Sequence, residues 1–482
     1  MHYWVGCLLI VVSSASGRPR LEGAIDSCPL CQSFAWFDYN APMLDTPSMT
    51  ESRCDVLVIG GGPAGSTISA LLAERGRDVV MLEKSRHPRF HIGESLLPFN
   101  MPLFERLGVA KEIEAIGMPK YGAEFVSPGY GKPVMFEFVN AMDNPFPSTY
   151  QVRRSEFDEI LFRNAARKGA RAIEGCRVTG VEFRPGGAEV TAREESGRER
   201  VWQTKFVVDA SGRDTLLASR LGVKQRSREH NSAAIYGHFS GATRLPGRAE
   251  GNITIFWFDH GWFWFIPLAD GATSIGAVCW PYYMKSRTTE PRQFLLDTIA
   301  LCPALAERVR HAELVSPVTA TGNYSYSARR AAGVNYVMLG DAFAFIDPIF
   351  STGVFLAMHS AFVGAETVAT CLDHPRRARR ALSAYDASVH RGVRVFSWFI
   401  YRIMTPGLRD IFMNPSNQFQ LRDALLSLLA GNVFARARLA TRILGLKAMY
   451  YLVSAGNLRK SWATWRKRVQ ATRERGIETP AA

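Results

Sequence analysis

A cluster of small residues near position 60 has the residue types and the spacing needed to hold a phosphate-rich ligand. The cluster reads GGGPAG and contains Gly60, Gly62, Pro63, Ala64 and Gly65. The first of these glycines allows a tight turn, the second lets a pyrophosphate approach the backbone, and the third lets a helix pack closely on a strand. A helix that begins here points its unpaired N–H groups at the phosphates. The spacing therefore predicts a dinucleotide-binding site.

The elements around the cluster fit this interpretation. Cys54 to Ile59 is a β-branched run typical of a buried parallel strand, and Ser66 to Arg75 has the pattern of a helix. Asp78 to Leu82 predicts a second strand, which ends at Glu83. A carboxylate about 20 residues beyond the glycines accepts hydrogen bonds from ribose hydroxyls. The alternative is a glycine-rich loop that binds no ligand.

Three later segments resemble fingerprints of FAD-dependent monooxygenase-like enzymes. Val207 to Arg213 and Val337 to Asp341 each read as a strand that ends in an acidic residue and small residues. In that family the second aspartate, here Asp341, contacts the ribityl chain. Arg154, in RRSEFDEIL, resembles the arginine that the family carries before its FD pair; the alternative is a charge in the first turn of a helix. The resemblance implies FAD rather than NAD.

The aromatic run WFWFIP begins at Trp262 and matches the WxWxIP pattern of flavin-dependent halogenases. Strand alternation puts Trp262 and Trp264 on one face. In the family this stretch lines the passage between flavin and substrate, and large side chains there disfavour direct hydroxylation. The alternative is an aromatic strand of the hydrophobic core.

A second stretch, DPIFSTG from Asp347 to Gly353, resembles the DPxxSTG segment of the same halogenases. It contains Pro348 and precedes an apolar run that predicts a helix. Free N–H groups at Thr352 and Gly353 would form an anion site at the helix terminus. By resemblance the anion is chloride beside the flavin. Related reductases and hydroxylases also keep a DPxxxxG here, where it binds the flavin itself.

Two further segments concern a reactive lysine. Glu94 and Ser95 belong to a GES sequence that resembles the segment near the isoalloxazine ring. The sequence KYGAEF resembles the KxGAxF-type segment of phenol and pyrrole halogenases, and Lys120 falls at their reactive lysine. Burial would lower the pKa of the ammonium and yield a nucleophilic amine, whereas the protonated form would hydrogen-bond hypohalous acid. The alternative is a surface lysine beside a strand.

Halogenases of free tryptophan place their lysine a few residues after the GE segment. The corresponding stretch here, 98–102, contains no lysine. The chain therefore resembles the phenol and pyrrole class more than the tryptophan class. That class includes enzymes that act on carrier-tethered aromatic rings.

The composition excludes several other classes of protein. A chain of 482 residues with 47% hydrophobic and 21% charged residues is neither fibrous nor largely disordered. Its histidines do not cluster at metal-ligand spacing, and the CxxC at Cys28 and Cys31 has no second pair, so we expect no metal. Eight cysteines in so long a chain do not indicate a disulfide framework.

The net charge of +14 becomes concentrated only near the C-terminus. The segment from Arg436 to Arg475 carries Arg438, Arg442, Lys447, Arg459, Lys460, Arg466, Lys467, Arg468 and Arg473, against a lone Glu474. One interpretation is a solvated helix face; the other is a surface for an anionic partner, such as a carrier protein or a membrane. No nucleic-acid motif accompanies these bases, so we expect no nucleic-acid partner.

The N-terminal segment, residues 1–50, does not conform to the rest. Residues 5–12 are apolar, but no Lys or Arg precedes them as in a signal peptide. Met49 begins a sequence that looks like a natural enzyme start, which favours an extension or a mis-assigned start over secretion. No apolar run of about 18 residues is present, so a membrane span is not expected. We expect a cytoplasmic enzyme.

Together these observations predict an α/β fold with a Rossmann-like FAD-binding domain of the glutathione-reductase and aromatic-hydroxylase type. The FAD-binding domain spans 51–385 discontinuously, with an antiparallel β substrate sheet inserted at about 223–330 and a helical C-terminal region at 386–482.

The resemblance implies a flavin-dependent halogenase of secondary metabolism. It would use reduced FAD from a separate flavin reductase, O2 and chloride or bromide. A C4a-hydroperoxide and hypohalous acid, relayed by Lys120, would halogenate a phenol, resorcinol or pyrrole, either free or on an acyl or peptidyl carrier protein. The alternatives are an aromatic hydroxylase, a reductase resembling geranylgeranyl reductases, and a flavin-binding interaction protein without turnover.

Overall fold

A computed structural model describes residues 50–142, 145–227, 230–415, 421–432 and 437–456, and the residue pairs 462–463, 465–466 and 469–470. The chain separates into two units, 1–48 and 49–482, and the described residues belong to the second. The apolar segment 5–12, the CxxC and the start at Met49 lie outside the described residues.

The strands of the first half are β1 (Thr50–Ile59), β2 (Val79–Leu82), β3 (Met118–Lys120), β4 (Gly122–Val126) and β5 (Val134–Glu137). They continue with β6 (Thr149–Gln151), β7 (Arg171–Ile173), β8 (Cys176–Arg184), β9 (Gly187–Glu194) and β10 (Glu199–Asp209). The next are β11 (Lys224–Arg226), β12 (Ser232–Ser240), β13 (Ile253–Phe258), β14 (Gly261–Pro267), β15 (Thr273–Cys279) and β16 (Glu313–Leu314). The last are β17 (Thr319–Tyr324), β18 (Tyr326–Ala328), β19 (Ala332–Gly333), β20 (Tyr336–Met338) and β21 (Ala344–Phe345).

The helices are α1 (Pro63–Ala73), α2 (Met101–Leu107), α3 (Ala110–Ile116), α4 (Arg154–Arg167), α5 (Leu216–Arg220) and α6 (Pro281–Lys285). They continue with α7 (Pro291–Ala300), α8 (Pro303–Arg308), α9 (Thr352–Asp373) and α10 (Ala378–Ile400). The C-terminal ones are α11 (Pro406–Met413), α12 (Leu421–Ala430) and α13 (Ala437–Gly456).

The first large sheet, here called the parallel sheet, has the order β19-β20-β10-β1-β2-β7, and β8 and β9 extend it from β10. β1 pairs in parallel with β10 and β2, and β10 pairs in parallel with β20. Residues 56–59 in β1 and the whole of β2 are buried, as expected of central parallel strands with helices on their faces. This α/β arrangement brings the carboxyl ends of β1, β2 and β10 to one edge.

The second large sheet, here called the aromatic sheet, has the order β16-β12-β15-β14-β13-β4-β5, with β17 paired to β12. Its pairs are antiparallel except β13 with β4, which is parallel. The sheet extends beyond the expected insertion at 223–330, because β4 and β5 come from residues 122–137. Those two strands join it through hydrogen bonds to β13, a long-range pairing that no local pattern specifies.

Alternation along β14 divides its side chains between two hydrophobic clusters. Trp262, Trp264 and Ile266 pack with the C-terminal helices, whereas Phe263 and Phe265 pack with residues of α7 and α8. In the first cluster Phe412 of α11 lies with its ring parallel to that of Phe350, their centroids 5.9 Å apart. The C-terminal helices therefore cover one face of the aromatic sheet.

Helix α9 is long and apolar enough to cross a membrane by composition, and it alone passes that test in the part of the chain that the structure describes. Half of its most apolar window is buried inside the protein, and the helix packs on α1 and α10. These contacts are those of a core helix.

Candidate active site

A cavity of about 410 Å³ lies beside the carboxyl ends of β1 and β2 and reaches the aromatic sheet. The residues that were singled out from the sequence and that line it are Gly60, Gly62, Pro63, Ala64, Glu83, Glu94, Ser95, Arg154, Trp262, Trp264, Asp341, Pro348 and Gly353. Gly65, Lys120 and Thr352 are not among the lining residues. One cavity thus collects segments spread over nearly 300 residues of sequence.

The glycine cluster is required by backbone contacts. Gly60 has φ of +99°, and a Cβ there would lie 2.4 Å from the carbonyl oxygen of Ala210. A Cβ on Gly65 would lie 1.9 Å from the carbonyl oxygen of Gly60. Both positions exclude a side chain, because the opposing atoms belong to the backbone. The turn and the close packing of α1 on β1 and β10 depend on these two residues.

Glu83, which follows β2, binds the backbone of the glycine turn through its carboxylate. Its Oε2 accepts a hydrogen bond of 2.7 Å from the N–H of Gly61, and its Oε1 accepts one of 3.0 Å from the N–H of Ser85. The residue is buried but contributes to the cavity wall. Its carboxylate therefore holds the glycine loop at the wall of the cavity.

Arg154 is the first residue of α4 and also lines the cavity. Its guanidinium donates to both carboxylate oxygens of Asp158, at 2.8 and 2.9 Å, and to the carbonyl oxygen of Ile92 at 2.6 Å. Burial alone would raise the pKa of Asp158, but the neighbouring Arg154 outweighs it and the pKa is lowered. Arg154 thus fixes the loop that leads into the GES sequence, and it is a first-turn charge as well.

Asp341 lies in a short helical turn after β20 and faces the cavity. Burial raises the pKa of its carboxyl to about 6, and Arg213 and Arg154 offset part of that rise. At neutral pH, about one pH unit above this value, the carboxyl is mostly ionised and accepts hydrogen bonds.

Trp262 and Trp264 are both buried and both line the cavity. Their ring centroids lie 6.1 Å apart, and the Trp264 Nε1–H donates to Ser274 Oγ at 3.1 Å. A Cβ on Gly276 would lie 2.2 Å from the Trp264 ring, so the indole packs directly on the backbone of β15. The two indoles form a fixed apolar wall.

The DPIFSTG segment is held by its aspartate. Asp347 accepts hydrogen bonds from Ser232 Oγ at 2.8 Å and from the N–H of Ile349 at 3.3 Å, and its Oδ2 lies 2.9 Å from His230 Nε2. Ser351 then adopts φ of +56°, and α9 begins at Thr352.

The start of α9 faces the cavity through Gly353. A Cβ there would meet no atom within 4 Å, so the cavity is open at that point. The first N–H groups of a helix have no partner within the helix. The segment thus presents a helix N-terminus to open space, which suits an anion.

Lys120 is the last residue of β3 and is 1% exposed. Its Nζ donates to Ser95 Oγ and to the carbonyl oxygen of Leu96, both at 2.9 Å. Ser351 Oγ donates to the same Ser95 Oγ at 3.0 Å. Burial lowers the pKa of Lys120 to about 7. The lysine is therefore not on the surface, and one serine hydroxyl links it to the DPIFSTG segment.

Comparison with known proteins agrees with the FAD site that this geometry suggests. The family described as FAD binding domain matches residues 53–395. A 1H-pyrrole-2-carbonyl peptidyl-carrier-protein chlorinase from Pseudomonas fluorescens is 29% identical over 415 residues, which are 81% of this chain and 92% of that protein. A tryptophan 2-halogenase from Chondromyces crocatus is 36% identical over 332 residues, which are 67% of this chain and 62% of that protein.

Among solved structures, the myxobacterial chondrochloren halogenase, described as a new variant of FAD-dependent halogenases, has 32% sequence identity and a TM-score of 0.70. The match covers 84% of this chain and 97% of that one. The chain belongs to the flavin-dependent halogenases. It is an FAD-dependent enzyme of the oxidoreductase type.

The halogenase also places at this site two side chains that the sequence did not single out. Arg89 lies between Glu83 and Asp158, with N···O distances of 3.5 and 3.3 Å. Its Nη2 is 3.5 Å from the position of a Cβ on Gly62, and its buried Nε has no hydrogen-bond partner. An unpaired guanidinium N–H beside the glycine turn fits a pyrophosphate. The feature of the sequence that could have identified Arg89 is a basic residue shortly before the GES sequence.

His238 of β12 is the second such residue. Its Nε2 lies 3.0 and 3.1 Å from the two carboxylate oxygens of Glu94, and both side chains are buried. The two residues are 144 positions apart. The imidazole holds the GES segment whose serine accepts from Lys120. No sequence signal links a histidine in a β-strand to this distant loop.

The halogenase fits FAD on its own contacts: the side-chain-free turn at Gly60, the orphaned Nε of Arg89 and the open space at Gly353. Among the described residues, no group of three or more His, Cys, Asp or Glu could hold a metal ion. The five cysteines in the described ranges are free thiols.

Proposed function

We propose that this halogenase transfers electrophilic chlorine or bromine to an electron-rich ring, a phenol, resorcinol or pyrrole, with Lys120 as the last carrier. The observation that supports this proposal most strongly is the buried Lys120. Its Nζ is one hydrogen bond from Ser95, and both Ser95 and Ser351 belong to the wall of the cavity. A separate flavin reductase would supply the reduced cofactor.

Bound FAD in its reduced form supplies, with O2 and halide, the oxidising equivalent as hypohalous acid. The residues that would hold it are Arg89 at the pyrophosphate, Glu83 at the ribose and Asp341 at the ribityl chain. Thr352 and Gly353 would hold the halide through their N–H groups. The pair Trp262 and Trp264 would keep the ring of the substrate away from the cofactor.

Two balanced steps follow at Lys120. In the amine route, Nζ attacks the halogen of HOCl, an N–Cl bond forms, the Cl–O bond breaks, and water leaves. The ring then takes the chlorine, its displaced proton returns to the nitrogen, and the amine is restored. In the ammonium route, Nζ–H hydrogen-bonds HOCl, the ring attacks the chlorine, and the ring proton and hydroxide leave as water.

The amine route needs a neutral Nζ, and the contacts of Nζ are compatible with that form. A neutral amine has two N–H groups, and Ser95 Oγ and the Leu96 carbonyl oxygen accept two. This leaves one lone pair for the halogen. A lowered pKa makes that form accessible at neutral pH.

The substrate class rests on the position of the lysine. Lys120 stands in the KYGAEF segment of β3 and β4, and 98–102 has no lysine. The Pseudomonas fluorescens relative is named for a pyrrole carried on a peptidyl-carrier protein. We therefore include carrier-tethered pyrrole in the proposed class, and free tryptophan is excluded from it despite the Chondromyces crocatus relative.

The test combines the full chain with FAD, a flavin reductase, NADH and bromide under air. The panel contains phenols, resorcinol, pyrrole-2-carboxylate, its carrier thioester and free tryptophan, and products are read by mass and bromine isotope pattern. We expect an enzyme-dependent brominated phenol, resorcinol or pyrrole. Brominated tryptophan as the main product would refute the class. Halide-independent oxygen insertion, or reduction alone, would refute halogen transfer.

A further inference from the structure

The surface of helix α13 carries large apolar side chains on its outer face. The exposed stripe, here called the α13 stripe, consists of Leu444, Ala448, Tyr451, Leu452 and Ala455. These positions are spaced as one face of a helix. Leu452 is 74% exposed and Leu444 67% exposed, so little of the part of the chain that the structure describes covers them.

The opposite face of α13 is anchored in the protein. Leu446 and Tyr450 are buried, and the Tyr450 ring packs edge-on against Trp398 of α10 with centroids 5.3 Å apart. The helix also packs on α11 and α12. The packing of this opposite face therefore keeps the α13 stripe on the outside of the protein.

Bases lie within α13, and further aromatic residues follow it in the sequence. Lys447 Nζ lies 4.9 Å from the Trp398 ring centroid, on the flank of the helix. Trp462 and Trp465 are each more than half exposed, and the Arg466 guanidinium lies 3.4 Å from the Trp462 ring centroid. The sequence from 433 to 473 contains no Asp or Glu.

We propose that the α13 stripe, with Trp462 and Trp465, docks this enzyme on the surface of an anionic phospholipid bilayer. Helices that lie in the bilayer interface combine a leucine-rich and aromatic face with flanking Lys and Arg. Tryptophan and tyrosine prefer the headgroup level, and each base near an anionic surface adds attraction. Arg442 and Lys447 within α13 suit a helix lying on the bilayer rather than crossing it.

Two other occupants fit the surface less well. A second copy of the chain would place this basic, acid-free face against itself across a two-fold axis, which like charges oppose. An acidic carrier protein would be recognised by the bases, but the stripe of leucine and tyrosine would then have no role.

The test is co-sedimentation of the full FAD-loaded chain with phosphatidylcholine vesicles, with and without phosphatidylserine. We expect binding that requires phosphatidylserine and weakens with added salt, because salt screens the charges. Leu452→Ser should lower the vesicle partition coefficient about tenfold, since it removes one buried leucine side chain from the lipid contact.

The matched control is Leu301→Ser, which changes a 53% exposed leucine at the end of α7. It should bind vesicles like the wild type, and retained FAD shows that both variants fold. Equal binding to neutral vesicles, or wild-type binding by Leu452→Ser, would overturn the proposal. Two further results would overturn it if Leu452→Ser left vesicle binding unchanged. One is a dimer in light scattering that Leu452→Ser abolishes, and the other is capture by an acidic carrier protein that Leu452→Ser abolishes.

Discussion

The cofactor side and the lysine side of this halogenase are built in opposite ways. The cofactor side is an open cavity of about 410 Å³ whose shape is set by backbone at Gly60, Gly62 and Gly353. On the lysine side Lys120 is 1% exposed and enclosed by Ser95, Leu96 and the ring of Phe138. The first side is open in this structure, whereas the second is filled by packed side chains.

Large aromatic side chains pack around Phe412, in the same hydrophobic cluster as Phe138. The ring of Phe412 contacts Phe125, Phe136 and Trp257 of the aromatic sheet and lies parallel to Phe350 of the DPIFSTG segment. These side chains stabilise the fold in the absence of substrate. The cofactor side thus leaves open space bordered by backbone, whereas the cluster around Phe412 has the close packing of a protein interior.

The sharpest test of the comparison is Lys120→Met, which removes the amine and preserves the volume. We expect halogenation to fall at least about 100-fold, because the last carrier is lost, while the affinity for FAD stays unchanged. Product formation and FAD titration measure the two sides separately. Lys205→Met, at an exposed lysine, is the control. Halogenation retained by Lys120→Met would refute the lysine relay.

Gly65→Ala tests the cofactor side alone. Its Cβ would lie 1.9 Å from the Gly60 carbonyl oxygen, so the turn must shift. We expect the free energy of unfolding to fall by about 1–3 kcal/mol and the affinity for FAD to fall about tenfold or more. Chemical denaturation and FAD titration give both values. Gly131→Ala, where a Cβ meets nothing within 4 Å, should leave them unchanged. Normal FAD affinity in Gly65→Ala would contradict a backbone-defined site.

His238→Leu tests the link between the two sides. It leaves the buried Glu94 without its imidazole partner, which disturbs the GES segment that holds Lys120. We expect kcat for halogenation to fall about tenfold, with a smaller change in FAD affinity. His238→Gln, which still donates to Glu94, should recover part of kcat. Equal losses in both variants would indicate a purely structural role.

The pH dependence of kcat distinguishes the two routes at Lys120. With its pKa at about 7, the amine route predicts a rise of a few-fold as pH increases through about 7, and the ammonium route predicts a fall. The residual activity of Lys120→Met should lack this inflection. A fall in wild-type kcat across the same interval would exclude the amine as the reacting form.

The lowered pKa of Lys120 also predicts how the stability of the protein depends on pH. Since the unfolded lysine titrates near its ordinary pKa of 10.5 and the folded one at about 7, the unfolded state binds more protons between these values. Lys120 should therefore make the free energy of unfolding rise with pH across that window, whereas the buried thiols, whose pKa values burial raises, oppose the rise toward its upper end. At pH values below about 7 the folded lysine is a buried ammonium, and its full destabilising effect is present. Denaturation of wild type and Lys120→Met at several pH values isolates this contribution: the difference in free energy of unfolding, wild type minus variant, should rise between these pH values.

The sequence by itself determined the cofactor side closely. The glycine turn, the strand that precedes it and Glu83 follow a local sequence pattern. Gly65 is constrained by the carbonyl oxygen of Gly60, five residues away, although the atom that excludes a side chain at Gly60 belongs to the distant Ala210. Trp262 and Trp264 share one face because the period of a strand is two. The resemblance to halogenases then supplied the residue types expected at the halide and the lysine.

Only the tertiary structure decided how the lysine side is assembled. Ser95 and Ser351 are 256 residues apart, His238 and Glu94 are 144 apart, and β4 joins the aromatic sheet by pairing with the distant β13. The burial that lowers the pKa of Lys120 comes from the same long-range packing. Contacts of this kind depend on which elements meet across the whole fold, and a local pattern of residues carries no information about that meeting.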